Sequence, residues 1–111
     1  MYTSFEVASD WGMINTCGSS LVDRIDIEYH RLVEIFGQPT YLGDIDGKVR
    51  CEWVIEFYDE TLDDYTIATI YDWKEDPSKP VEWVRDWHVG GFRRQAYDCV
   101  IDALFGSVLC N

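Results

Sequence analysis

The spacing of hydrophobic positions changes along the chain, and the changes mark out its elements. From residue 48 to 58 the pattern alternates: Val49, Cys51, Trp53, Ile55 and Phe57 point one way, while Arg50, Glu52, Glu56 and Tyr58 point the other. Successive side chains of a strand leave opposite faces, so this is a strand half-buried on one side. YTIATIYDWK, residues 65–74, is rich in β-branched and aromatic residues and predicts a second strand. The polar run 59–64 joins the two as an antiparallel hairpin. A different period governs residues 27–36, where Tyr29, Leu32, Val33 and Phe36 recur at i, i+3, i+4 and i+7. That stripe predicts an amphipathic helix of about three turns. Asp26 is placed to cap its start, Gly37 to form a left-handed C-terminal cap, and Pro39 to prevent continuation. A second helix is expected from Phe92 onward, with Phe92, Ala96, Val100, Ala103 and Leu104 on one stripe and Gly106 at its end.

Weaker signals fill the rest. Short strands are expected over residues 3–8 and 21–25, and Cys17-Gly18-Ser19-Ser20 reads as loop. YLGDIDGK is turn-rich, with a tight turn at Asp46-Gly47, and DPSKP at 76–80 is the clearest breaker. Residues 81–89 carry a short extended piece ending at His88-Val89. This order predicts an α+β fold, an antiparallel sheet of three to five strands with two helices packed on one face. At 111 residues the chain suits a single domain spanning 1–111.

Composition narrows the function classes. Apolar residues make up 47% and aromatics 15%, which separates the chain from disordered acidic tails. Nine Lys and Arg stand against 21 Asp and Glu, a formal charge of −12 that works against binding duplex nucleic acid or anionic membranes. The same charge suits presentation of carboxylates to a basic groove, as a nucleic-acid mimic does, and it equally suits plain solubility. Cys17, Cys51, Cys99 and Cys110 form no CxxC pair and have no His at ligand spacing, so neither a metal nor a cofactor is expected. No run approaches the roughly 18 apolar residues of a membrane span, and MYTSFEVASDWG lacks the basic and apolar regions of a secretory signal. An intracellular protein with free thiols is expected.

The segments YHRLVEIFGQPT, CEWVIEF and ATIYDWK, and then DWHVGG followed by a helix, resemble small accessory proteins encoded by tailed bacteriophages. The resemblance runs from about Cys17 to Leu104, and its most specific parts are FGxP, IYDWK and WHxGG, none of them a catalytic signature. It implies a virus-encoded protein acting in the cytoplasm of the infected bacterial host, a setting in which small proteins often bind and disable a defence component. DETLDD between the hairpin strands departs from the short Asp-Gly turn of similar sequences. A family without a site does not give a function.

Candidate chemistry gathers in three places. In WHVGGFRR, Arg93 and Arg94 stand at an expected helix start, where cations are unfavourable, next to Gly90 and Gly91, which permit close backbone approach. With His88 and Lys74 they would form an anion site for a nucleotide, a cyclic oligonucleotide or a partner's acidic side chain. The simpler reading makes the glycines a sharp turn and leaves the arginines solvated or paired. Neither a Walker loop nor a dinucleotide fingerprint is present. Asp86 and His88, two apart, would suit a catalytic pair activating Cys99 or Ser107, although ordinary structural roles for His88 and Cys99 are favoured and His30 reads as simply exposed. The acidic block Glu52, Glu56, Asp59, Glu60, Asp63 and Asp64 has no Lys or Arg within residues 51–64, so it offers a negative surface to a basic partner or protects an edge strand. DETLDD lacks the glycine and spacing of a calcium loop.

Trp53, Phe57, Tyr71 and Trp73 read as core, while Trp83 and Trp87, near the breaker, read as an exposed binding face. The leading expectation is a small, acidic, non-enzymatic protein that inhibits or sequesters a bacterial host protein. A nucleotide or cyclic-oligonucleotide sponge or modifying enzyme is the alternative, and a virion or assembly component is a third. Self-association through an exposed sheet or helix face is compatible with so Trp-rich a small domain.

Overall fold

The computed structural model describes residues 2–10, 12–43, 48–76 and 78–106. The expected Asp46-Gly47 turn, Ser107 and Cys110 lie outside the described residues. In chain order the elements are β1 (Ser4–Val7), β2 (Ser20–Asp26), α1 (Tyr29–Phe36), β3 (Tyr41–Leu42), β4 (Cys51–Asp59), β5 (Asp64–Tyr71), a 3-10 turn (Val81–Trp83), β6 (Asp86–Gly91), α2 (Gln95–Ile101) and a π-helical turn (Asp102–Gly106). They build one antiparallel sheet in the order β1-β4-β5-β6-β2, with β3 pairing β4 beside β1. The architecture is α+β, as the hydrophobic pattern predicts. The described strands number six, one above the expected range, because Tyr41–Leu42 inside the turn-rich stretch pairs with Glu52 and Cys51.

Alternation along β4 decides which side of the sheet is closed. Cys51, Trp53, Ile55 and Phe57 are buried, and register places Ile70, Ala68, Val89 and Trp87 on the same side. Leu32 and Phe36 of α1, Ala96 and Val100 of α2, and Leu104 close over them in a single core. Trp53 and Trp87 meet edge to face at 5.5 Å, and both rings are fully buried. Each indole donor is satisfied: Trp53 Nε1 donates to the Gly37 carbonyl at 2.9 Å and Trp87 Nε1 to the Ile27 carbonyl at 3.1 Å. A buried indole without such an acceptor would be costly, so the two carbonyls also fix how α1 enters and leaves the sheet.

Several boundaries differ from the sequence expectation, each for a physical reason. Asp26 does not cap α1, because it ends β2, where it pairs with Asp86 and its carboxylate accepts from Arg85 at 3.0 Å. The helix starts at Tyr29, and Gly37 closes it at φ +81°, a conformation open to glycine, with its N–H donating to Val33. β4 begins at Cys51 rather than residue 48, and β5 ends at Tyr71 rather than 74. The buried Asp72 stops the pairing there, since its Oδ1 accepts the N–H groups of Arg50 (2.8 Å) and Cys51 (3.0 Å).

Gly90 and Gly91 do not form a turn; they complete β6. A Cβ at Gly90 would stand 2.6 Å from Thr69 Oγ1, and one at Gly91 would collide with the Ala96 methyl. Gly91 lets α2 sit directly on the sheet, while Gly90, on the opposite side, makes room for the Thr69 side chain of the neighbouring strand. Consequently α2 begins later than Phe92, at Gln95, and Phe92 itself is exposed. Among the described residues no helix is long and apolar enough to cross a membrane.

Candidate functional site

The helices cover one side of the sheet, which leaves the other side available for recognition. Register assigns to this open face Ser4 and Glu6 from β1, Glu52, Val54, Glu56 and Tyr58 from β4, and Tyr65, Ile67, Thr69 and Tyr71 from β5. Asp86, His88 and Gly90 from β6 and Leu21, Arg24 and Asp26 from β2 complete it. Val54 and Thr69 are buried even here, and Asp10, Gly12 and Ile14 to Cys17 form a concavity with Val54. Apart from Leu21 and Ile67, the remaining face is polar and aromatic.

Charge is distributed unevenly across it. β1, β4 and β5 contain no Lys, Arg or His. Within them Glu6 lies directly opposite Glu56, and Tyr58 directly opposite Tyr65 with ring centroids 4.8 Å apart. Ser4, Glu6, Glu56, Tyr58 and Tyr65 line an open concavity of about 260 Å³. Like charges directly opposite on neighbouring strands repel, and among the described residues neither Glu6 nor Glu56 has a cationic partner. Tyr58 donates its hydroxyl to Asp63 Oδ1 at 3.1 Å, and this bond to a carboxylate pushes the phenol above its usual range and holds the ring in place.

The β6–β2 side behaves differently, because its carboxylates are matched. Arg24 pairs with Asp86 at 3.4 Å, Arg94 with Asp23 at 2.7 Å, and Arg85 with Asp26 and Glu28 at 3.0 and 3.2 Å.

The acidic block read from the sequence is divided by the fold. Glu52 and Glu56 share the open face, as their spacing predicts. Glu60 and Asp63 stand on the exposed hairpin tip. Asp59 shapes that tip, its Oδ1 accepting from the N–H groups of Thr61 (2.9 Å) and Leu62 (3.3 Å), while Asp63 takes φ +49°. Asp64 turns to the helix side and binds Arg93 at 3.1 Å.

The six residues of the expected anion site are not brought to one point. Arg93 is engaged by Asp64 and the Tyr65 carbonyl, and Arg94 by Asp23 while its guanidinium lies 4.5 Å over the Tyr97 ring. Gly91 faces α2, whereas Gly90 and His88 face the opposite side of the sheet. His88 packs against Tyr71 at 5.5 Å and stacks with Trp73 at 6.4 Å, and Lys74 lies over the Trp73 ring at 5.6 Å. The period of two along β6 separates these groups, and α2, at seven residues starting past the glycines, does not aim its N-terminus at them. Asp86 and His88 share a face, as expected, but Cys99 sits on α2, across the sheet from them. Burial, followed by the nearby Asp102, pushes the Cys99 thiol up, and burial pushes Cys51 up further, so neither resembles an activated thiolate. Among the described residues no group of three His, Cys, Asp or Glu is arranged to hold a metal ion.

The tryptophans also divide. Trp83 is exposed, with Lys79 over its ring at 5.6 Å. Trp87 is not part of an exposed face: it is fully buried, because β6 pairs in the register that turns positions 87, 89 and 91 toward the helices. Tyr71 and Trp73 do not join the core as expected. The same register turns Tyr71 to the open face, where it is half-buried, and Trp73 is 39% exposed.

Glu6, Tyr58 and Tyr65 are the residues that sequence reasoning missed as site members. Strand periodicity placed Tyr58 on the same face as Glu52 and Glu56, but only the β1–β4 and β4–β5 registers reveal what stands beside them. No family model matches the chain, and no curated protein or solved structure matches it.

Proposed function

We propose that the protein is a small non-enzymatic binding protein that sequesters or inhibits a basic bacterial partner, acting in the cytoplasm of a phage-infected cell. Its contact surface is the β1–β4–β5 part of the open face, extended by Glu60 and Asp63 at the hairpin tip. The observation that carries this reading is the Glu6–Glu56 pair, two carboxylates held opposite each other with no cation beside them among the described residues, next to a partly exposed tyrosine pair. A basic surface would relieve their repulsion on docking, and rings with polar tips are favoured at contact hot spots. The formal charge of −12 adds long-range attraction for the same kind of partner.

Affinity capture from bacterial lysate tests the proposal. The wild-type protein is expected to retain a basic protein that elutes as salt is raised. The triple variant Glu6→Gln/Glu56→Gln/Glu60→Gln should lose it while melting normally. A control with the same change in net charge but away from this surface, Glu34→Gln/Glu82→Gln/Asp98→Asn, should keep it. Equal loss in both variants would mean that total charge, not this face, does the binding.

A further inference from the structure

The concavity between Glu6 and Glu56 is specific enough to ask which basic side chain it receives. Resting on the binding role proposed above, we infer that this part of the open face selects arginine over lysine on its partner, taking a guanidinium between the two glutamates with its plane against the Tyr58–Tyr65 pair. Directly opposed residues on antiparallel strands hold their Cβ atoms about 5 Å apart, so both carboxylates reach the same small volume. A guanidinium satisfies two separate acceptors at once because its five donors are spread around a rigid plane, and it is weakly enough hydrated to lie on an aromatic ring. An ammonium is compact and strongly hydrated, and gains little from the rings beyond its charge.

The tyrosines are arranged to serve such a plane. Tyr58 is tied by its hydroxyl to Asp63, and Tyr65 leaves 53% of its surface exposed beside the concavity. The molecule already contains the same combination in a completed form. On its helix side Arg94 lies 4.5 Å over the Tyr97 ring and reaches Asp23 at 2.7 Å. The Glu6–Glu56 site offers the carboxylate and the tyrosine of that arrangement, with a second carboxylate in addition, and lacks the arginine.

Two soluble peptides, one of alternating arginine and glycine and one of alternating lysine and glycine, provide the test by calorimetry and NMR titration against the full chain. The arginine peptide should bind about tenfold or more tightly than the lysine peptide, a difference of the size set by one well-made bidentate contact. Its shift perturbations should centre on Glu6, Glu56, Tyr58 and Tyr65. Tyr65→Leu should reduce the preference for arginine while leaving lysine binding nearly unchanged, and Glu56→Gln should weaken both. Equal affinity for the two peptides, or perturbations centred on the hairpin tip alone, would overturn the arginine assignment while leaving the wider basic-partner reading intact. Failure of both peptides to bind also overturns the assignment, and the lysate capture with the triple variant then decides the wider reading separately.

Discussion

The two sides of β4 differ by one residue of register and by nearly everything else. Trp53 points to the helix side, into a core of apolar and aromatic side chains where both buried indole donors find carbonyls. Glu56, three residues on, points to the open side, where its cross-strand neighbour is another carboxylate. The helix side is optimised for its own stability. The open side tolerates an unfavourable pair, which the proposed basic partner would relieve. A second contrast lies within the open face itself: the β6–β2 carboxylates are paired internally, whereas Glu6 and Glu56 have no cationic partner among the described residues.

Mutations that probe this contrast should separate by size. Trp53→Ala or Trp87→Ala removes a fully buried ring and leaves its carbonyl acceptor unpaired, so either should cost about 3–5 kcal/mol in denaturant unfolding. Asp72→Ala should follow at about 3 kcal/mol. It strips the acceptor from two backbone N–H groups and leaves the largely buried Arg50 guanidinium without its carboxylate. A loss under about 1 kcal/mol there would show that Asp72 is not what stops the β4–β5 ladder.

On the open side the sign reverses. Glu6→Gln or Glu56→Gln should raise stability by about 0.5 kcal/mol at low salt, and added salt should shrink the gain by screening the wild-type repulsion. Destabilisation by these substitutions would mean that the two glutamates are not strained against each other.

The smallest effect belongs to the internally paired side. Asp23 accepts from the Arg24 N–H and from the Arg94 guanidinium, which together hold its carboxyl below the usual carboxylate range. A depressed folded-state value contributes stability that is present above the ordinary value near 4 and is lost as pH falls through the lower, folded one. Asp23→Asn should therefore lower stability slightly at neutral pH, lose that effect at the acid end where the wild-type carboxyl is already protonated, and so flatten the acid limb of the stability curve.

Much of the frame is legible in the sequence. The alternation of residues 49–57 identified the inward face of β4 correctly, and Leu32 and Phe36 lie on the buried stripe of α1. The hairpin joining β4 to β5 has the expected partners, and Glu52 and Glu56 share a face. What failed depended on distant contacts. Gly90-Gly91 looks like a turn until α2 is seen packed on Gly91 and Thr69 against Gly90. Asp26 looks like a helix cap until Arg85, far along the chain, claims its carboxylate. Trp87 looks like an exposed anchor because it adjoins a breaker, yet its register sends it inward.

Local pattern thus determined the α+β class, the hairpin and the strong negative charge, since periodicity and composition act over neighbouring residues and need no partner in space. Tertiary structure decided the rest. Strand register chose which carboxylates oppose each other, which tryptophans are buried and which arginines are neutralised, because those outcomes depend on residues many positions apart meeting within a few ångströms, and no one-dimensional pattern encodes that meeting.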